Sequence, residues 1–69
     1  MDTYGKFEIE FYNEVEDEFE NPVEKRVKTK KMTGYKDNVE FYAQEQIDMG
    51  NYDSYIVYYV GTAEPKGGK

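Results

Sequence analysis

Carboxylates and tyrosine hydroxyls are the side chains of this sequence that could do chemistry. Eight acidic residues and no basic residue occur from Glu8 to Glu24, and the 69 residues include eight tyrosines. Histidine and cysteine are absent, and Ser54 is the only serine. The commonest general base, the commonest metal ligand and a serine triad are therefore excluded. Paired carboxylates also need a cleft, which a small sheet with one helix has little depth to build. We predict no enzymatic activity and no catalytic residues.

The acidic stretch has two interpretations. Regularly spaced carboxylates could imitate a nucleic-acid backbone, which carries one charge per about 1.7 Å of duplex. Alternatively, the stretch is a solvated hairpin end whose charge supports solubility. A cation such as calcium is not expected, because the D-x-D-x-D-G order of an EF-hand loop is missing. We predict no metal site and no cofactor. The carboxylates of this end are Glu14, Glu16, Asp17, Glu18 and Glu20.

The overall charge limits the partners. Fifteen acidic and nine basic residues give a net charge of −6, which disfavours non-specific binding to nucleic acid or an anionic membrane. The basic run of residues 25–31, K-R-V-K-T-K-K, could bind RNA or DNA together with the aromatic residues, but carboxylates of the neighbouring strand are expected to neutralise it. No apolar run approaches the roughly 20 residues of a membrane span, and the first residues do not resemble a signal peptide. We expect a cytoplasmic protein with no direct nucleic-acid or membrane partner.

The apolar pattern predicts one small domain over residues 1–62 and a flexible tail over residues 63–69. Its first strand spans residues 5–16, where apolar and charged residues alternate. A strand sends successive side chains to opposite faces, so one face is expected to lie against a core. The residues of that face are Phe7, Ile9, Phe11 and Val15.

A second, weaker strand is expected over residues 23–32, after the turn signal Asn21-Pro22. Folding the two strands about residue 20 brings opposite charges together across the pair, which is favourable. Val23, Val27 and Thr29 then share the inner face of the second strand. In this register Glu14 lies opposite Arg26, Glu10 opposite Lys30 and Tyr12 opposite Lys28, all on the outer face.

Residues 32–36 are predicted to be a connection. A helix follows, with Asp37 as its N-cap, Glu40 completing a capping box and Gly50 as its left-handed stop. Residues at helical spacing form one apolar face of this helix, namely Val39, Tyr42, Ala43, Gln46 and Ile47.

The last strand, residues 54–62, is rich in β-branched and aromatic residues. Its alternate residues form two sets, or parities, which point to opposite faces of the sheet, and both sets are apolar. We place the set that is poorer in tyrosine toward the helix. That set contains Ile56, Tyr58 and Val60, and the other set contains Tyr55, Val57 and Tyr59.

The predicted fold is α+β, with element order ββαβ. A helix that crosses one face returns the third strand antiparallel to the first strand and beside it. This gives a sheet of order 2-1-3 with one face under the helix and the other face open. A sheet of order 1-2-3, with a parallel pair, is the alternative.

The open face is the predicted partner-binding surface. Tyrosine is frequent at protein interfaces because it buries a large ring and keeps a hydrogen-bonding end. Alternatively, an open sheet face only needs β-forming residues that tolerate water. If the parities of the last strand are swapped, Ile56, Tyr58 and Val60 take this role. As placed above, the surface contains Tyr12, Tyr55, Val57 and Tyr59, next to the acidic hairpin end.

In length and element order the chain resembles small phage-encoded proteins that bind and redirect a host enzyme, such as the inhibitor of bacterial RNA polymerase from T7-like phages. The likeness is carried by K-F-E-I-E-F-Y as the first strand, by the short helix over residues 39–47, and by S-Y-I-V-Y-Y-V as the last strand before a short tail with Pro65. The resemblance implies a non-enzymatic inhibitor in the host cytoplasm. The resemblance assigns no functional role to any particular residue of this chain.

These observations favour a non-enzymatic protein-binding module that modulates a host protein by occlusion. The first alternative is an acidic nucleic-acid mimic that occupies the basic groove of a nucleic-acid-binding protein. The second alternative is a small structural or self-associating protein, a monomer or weak dimer that could pair through an exposed edge strand.

Overall fold

The computed structural model describes residues 3–62 and has an α+β fold of three strands and one helix. The strands form one antiparallel sheet in the order β2-β1-β3. This confirms the predicted topology and excludes the order with a parallel pair. The predicted tail over residues 63–69 lies outside the described residues. The elements are β1 (Tyr4–Glu16), β2 (Pro22–Tyr35), α1 (Lys36–Asp48) and β3 (Ser54–Thr62).

The core lies between β1 and α1. Phe7, Ile9 and Phe11 of β1 are buried against Val39 and Ala43 of α1. Alternation along the strand and the spacing along the helix predicted these residues. Full burial of a large apolar side chain stabilises a protein by about 1.5–3 kcal/mol. Partly buried side chains pack against this group, namely Met32, Tyr42, Ile47, Tyr52, Tyr55 and Val57.

The predicted register between β1 and β2 is wrong, by one residue as far as Phe11 and by two residues from Tyr12 onward. Ile9 lies opposite Lys30, and Phe11 lies opposite Lys28. Both lysines therefore lie on the helix side of the sheet and not on the outer face. Lys30 remains partly exposed, with Nζ 5.6 Å from the centroid of the Tyr42 ring, as expected of a long side chain that packs its stem and keeps its charge solvated.

Packing, and not charge pairing, explains this register. It brings Met32 opposite Phe7, where Met32 packs against the core. The register shifts between Phe11 and Tyr12, which leaves Val27 without a partner and sets Tyr12 opposite Arg26. Cross-strand charge pairs at a surface are worth only about 0.2–1 kcal/mol each, less than the burial of one large apolar side chain.

β2 continues directly into α1 without the connection predicted over residues 32–36. The strand extends to Tyr35, whose ring packs edge-on against Tyr4 with centroids 4.9 Å apart. Tyr35 is also the helix N-cap, and it makes no side-chain capping hydrogen bond. The prediction of Asp37 as N-cap is therefore wrong, because the helix starts directly after the strand, two residues earlier than predicted. Glu40 instead pairs with Lys36, at 3.8 Å between Nζ and Oε2.

The C-terminal end of α1 agrees with the prediction. Gly50 has a φ of 82°, in the left-handed region that glycine adopts without steric cost. Its N–H donates to the carbonyl of Ile47 at 2.9 Å, and the N–H of Asn51 donates to the carbonyl of Gln46 at 3.0 Å. These two bonds form a Schellman motif, which satisfies carbonyls that the helix end would leave unpaired.

The hairpin of β1 and β2 is longer than the two elements that pack against it, α1 and β3. The 13 residues of α1 span about 20 Å, whereas the 14 residues of β2 span about 45 Å. β3 pairs with β1 only as far as Tyr12. We call residues 4–12 and 26–35 the hairpin base and residues 13–25 the hairpin arm. Val15 lies in the arm and is 38% exposed, so its predicted place in the core is wrong.

The predicted faces of β3 are reversed. Val57 lies opposite Ile9, and Tyr55 lies opposite Phe11. Directly opposite residues of an antiparallel pair share a face. Tyr55, Val57 and Tyr59 therefore lie on the helix side, where Tyr55 and Val57 pack against the core.

Gly5 gives the physical reason for this orientation. A Cβ atom at Gly5 would lie 2.7 Å from Cε1 of Tyr59 and 2.8 Å from the carbonyl oxygen of Gly61. The Tyr59 ring therefore occupies the space that a side chain at position 5 would fill, and its edge packs on Phe7 with centroids 5.5 Å apart. An aromatic ring that covers a strand glycine in this way pins the register of the pair.

Candidate functional site

The candidate functional site is the face of the sheet that α1 leaves uncovered, which we call the open face. Ile56 and Tyr58 of β3 are large members of this face and are 45% and 44% exposed. Val60, which a register shift leaves unpaired, borders the same face. The open face includes Tyr4, Lys6, Glu8, Glu10, Tyr12, Glu14 and Glu16 from β1, Glu24, Arg26, Thr29, Lys31, Thr33 and Tyr35 from β2, and Ser54, Ile56 and Tyr58 from β3.

Three polar side chains form a hydrogen-bonded cluster on the open face, and Tyr58 of β3 lies beside it. The Tyr12 hydroxyl donates to Oε1 of Glu10 at 2.6 Å, and Nη1 of Arg26 donates to Oε2 at 3.0 Å. The Glu10 side chain is only 14% exposed. The carboxylate is thus held by Arg26 of β2 and by Tyr12 of its own strand.

The cluster shifts the pKa values of its members. The hydrogen bond from Tyr12 lowers the pKa of Glu10, burial opposes this, and Arg26 lowers it further. The same bond raises the pKa of Tyr12 to about 12, since ionising the phenol would set two negative charges side by side. The neighbouring Glu10 carboxylate also raises the pKa of Tyr58. At neutral pH, Glu10 is therefore charged and both tyrosines are neutral donors.

Three of the predicted partner-binding residues share the open face. Tyr12, Glu14 and Glu16 alternate along β1, so the open face continues into the hairpin arm. The assignment of Tyr55, Val57 and Tyr59 to this face is wrong, as described above, because the faces of β3 are reversed. Ile56 and Tyr58 take their place, which is the outcome expected for swapped parities.

The hairpin end is an ordered turn. Oδ1 of Asp17 accepts hydrogen bonds from the backbone N–H groups of Phe19 at 2.8 Å and Asn21 at 2.9 Å. Asp17 therefore holds the turn together, whereas Glu18 and Glu20 are exposed. Glu20 has a φ of 63°, which is unusual for a residue other than glycine. Phe19 is 77% exposed between these two carboxylates.

Sequence reasoning missed the exposure of Phe19 and left the orientation of β3 open. Gly5 was the available signal for β3. It shares the parity of Phe7, so it leaves a gap on the helix side that a ring from the neighbouring strand can fill. No comparable signal indicated that Phe19 is exposed, because a phenylalanine within a run of acidic residues can equally well be partly buried.

A shallow depression of about 360 Å³ lies at the end of the hairpin base that is remote from the turn. Its lining includes Lys6, Glu8, Lys31 and Thr33 of the open face, together with Phe7, Met32 and Val60. Among residues 3–62, no group of acidic side chains is arranged to hold a metal ion. No helix in this part of the chain is long and apolar enough to cross a membrane.

Comparisons of the chain with protein families, with curated proteins and with solved structures find no match.

Proposed function

We propose that the protein is a non-enzymatic protein-binding module that acts by occlusion, with the open face as its contact surface. One observation carries the proposal. The open face combines exposed side chains, Ile56 and Tyr58, with a hydrogen-bonded polar cluster. The tyrosine and arginine residues of this cluster are the types most enriched at protein interfaces. From the resemblance to phage-encoded inhibitors, we propose a bacterial protein as the partner.

The geometry of the open face suits rigid binding. Tyr12 and Arg26 are each tied to Glu10, so little side-chain entropy is lost when a partner covers them. Each oxygen of the Glu10 carboxylate already accepts a hydrogen bond within the chain, so covering it does not leave an unpaired charge. Ile56 then supplies apolar area beside the cluster.

The test is capture of the partner from a bacterial lysate by the immobilised chain, with nuclease added and mass spectrometry as the readout. We expect one stoichiometric protein, and we expect its recovery to fall when Ile56→Ala removes apolar area from the open face. Phe41→Ala is the matched control, because Phe41 is a large exposed side chain on α1. Equal losses for the two variants, or no loss for Ile56→Ala, would remove the open face from the proposal. Recovery that vanished with nuclease would point to a nucleic-acid partner instead.

The second candidate function is mimicry of a nucleic acid by the hairpin arm. One observation favours it: Glu14 lies directly opposite Glu24, where Arg26 was predicted. Like charges in opposite positions repel, and a basic groove on a partner would relieve this repulsion. In this case Glu18→Lys would weaken capture more than Ile56→Ala, and binding would fall steeply with salt. A flat salt response argues against mimicry.

A further inference from the structure

The two edges of the sheet are built differently. The β2 edge carries five basic residues within residues 25–31, and proline is its first residue. Lysine and proline are the residues by which native sheets prevent a free edge from pairing with another chain. β3, at the other edge, has no charged residue from Ser54 to Thr62. The chain therefore protects one edge and leaves the other able to pair.

The unprotected edge is regular over most of its length. Residues 54–59 of β3 pair in unbroken register with β1, from Tyr12 back to Phe7, and the irregularity comes only at Val60. Within residues 3–62 no strand lies on the outer side of β3. Alternate N–H and C=O groups of this segment therefore point outward without a partner in the sheet. Such a row is a template for one further strand.

We propose that this edge pairs with β3 of a second copy of the chain, in antiparallel orientation about a two-fold axis, to form a continuous six-stranded sheet. The pairing is self-complementary. Because side chains alternate between faces, the copies can pair only in registers that keep helix-side residues opposite helix-side residues. Centred on Val57, such a register sets Ile56 opposite Tyr58 and Tyr55 opposite Tyr59. Aromatic and β-branched residues in these positions form favourable cross-strand pairs.

The charge distribution favours a second copy as the occupant. Two chains of net charge −6 repel each other, but the antiparallel arrangement directs the two acidic hairpin arms away from each other, to opposite ends of the joint sheet. The contact strand itself brings no charge to the interface. The assembly also stops at two copies, because its outer edges are both the lysine-bearing β2. The proposal is independent of the partner proposed above and extends the open face across both copies.

Sedimentation equilibrium of the full chain from micromolar to millimolar concentration tests the proposal with one pair of variants. Thr29 and Ile56 both lie opposite Glu10, on the same face but on opposite edges, and both are exposed. Ile56→Lys and Thr29→Lys thus add the same charge at mirrored positions. We expect wild type to form dimers and Thr29→Lys to dimerise like wild type. Ile56→Lys should weaken dimerisation by about tenfold or more, because it replaces both cross-strand pairs of Ile56 with Tyr58 and brings the two new lysines to diagonal positions of the strand pair. Added salt should strengthen the wild-type dimer by screening the net charge.

Amide hydrogen exchange supplies a second readout that does not depend on a variant. Raising the concentration of wild type should slow exchange at alternate amides of residues 54–59 and leave the β2 amides unchanged. A chain that stays monomeric over the whole range overturns the proposal. A dimer without added protection in β3, or one that Ile56→Lys and Thr29→Lys weaken equally, also overturns it, since the copies would then meet through another surface.

Discussion

The base and the arm of the β1–β2 hairpin consist of the same two strands but differ in what covers them. In the base, β3 pairs with β1 and α1 packs on one face, so Ile9 and Phe11 are completely buried. In the arm the alternation continues, but Val15 and Val23 lie opposite each other and remain exposed. A two-stranded ribbon is at best marginally stable in water. The arm is therefore held by its ordered turn and by its continuity with the base.

The boundary between the two regions is a set of hydrogen bonds around Asp53. The N–H of Asp53 donates to the carbonyl of Tyr12 at 3.0 Å and to Oδ1 of Asn13 at 3.1 Å. Oδ2 of Asp53 accepts from the N–H of Glu14 at 2.8 Å. These bonds satisfy the backbone of β1 where pairing with β3 ends. The Tyr12 carbonyl and the Glu14 N–H thus keep hydrogen-bond partners where the strand leaves β3 and continues as an arm.

The largest expected contrast between base and arm is in apolar truncation. Phe11→Ala should cost about 3–5 kcal/mol, because Phe11 is fully buried and stacks on Tyr52 with centroids 4.4 Å apart. Val15→Ala, on the same face of the same strand, should cost less than about 1 kcal/mol. Urea denaturation of the two variants measures the difference. Similar losses at both positions would mean that the arm is as well packed as the base.

Glycine substitutions test the packing inside the base. Gly5→Ala should destabilise the fold by about 1–3 kcal/mol, because the new methyl group meets the Tyr59 ring and the Gly61 carbonyl. Gly34 is the cross-strand partner of Gly5, and a Cβ atom there would have no neighbour within 4 Å. Gly34→Ala should therefore stabilise the protein by about 0.4–1 kcal/mol. Thermal denaturation compares them, and a neutral Gly5→Ala would show that the Tyr59 ring can move aside.

A charge substitution tests the arm. Glu24→Lys replaces a like-charged pair with Glu14 by an opposite-charged pair and should stabilise the hairpin by about 0.2–1 kcal/mol, less at high salt. Glu18→Lys makes the same change of charge in the turn, where there is no cross-strand partner, and should have a smaller effect. Denaturation at low and high salt measures both variants. Equal gains would assign the effect to net charge and not to the pair.

The smallest expected effect is the pH dependence of the stability that the polar cluster contributes, next to the boundary between hairpin base and hairpin arm. The pKa of Tyr12 is raised from 10.0 to about 12, so the stability that this bond contributes is complete below pH 10 and is lost as the pH rises through about 12. The pKa of Glu10 is lowered from 4.5, so its contribution is complete above pH 4.5 and is lost as the pH falls through the lowered value.

Titration of phenolate absorbance, with circular dichroism to follow the fold, measures the alkaline limb. Glu10→Gln removes the carboxylate and should lower the pKa of Tyr12 toward 10, whereas Glu18→Gln, the same change in the turn, should leave the curve as it is in wild type. If Glu10→Gln also leaves the curve unchanged, the bond between Tyr12 and Glu10 is not formed in solution.

Much of the fold was predictable because it depends on local patterns. The alternation of Phe7, Ile9 and Phe11 located β1 and its buried face, and the spacing of Val39 and Ala43 located the buried side of the helix. The order of the sheet followed from a hairpin and one crossing helix. The candidate site was predictable only in part. Tyr12, Glu14 and Glu16 could be assigned to the open face because they belong to the strand with the clearest alternation.

The amino-acid sequence by itself determined where the strands and the helix lie, which side chains of β1 face the core, and that the helix stops at Gly50. These features depend on backbone preferences and on periodicities within one element. Only the tertiary structure decided the register of β2, the orientation of β3 and the limit of the core along the hairpin. A two-residue period divides a strand into two faces but does not say which face turns inward when both are apolar. That choice is made between elements, where Met32 meets Phe7 and the Tyr59 ring fills the space above Gly5.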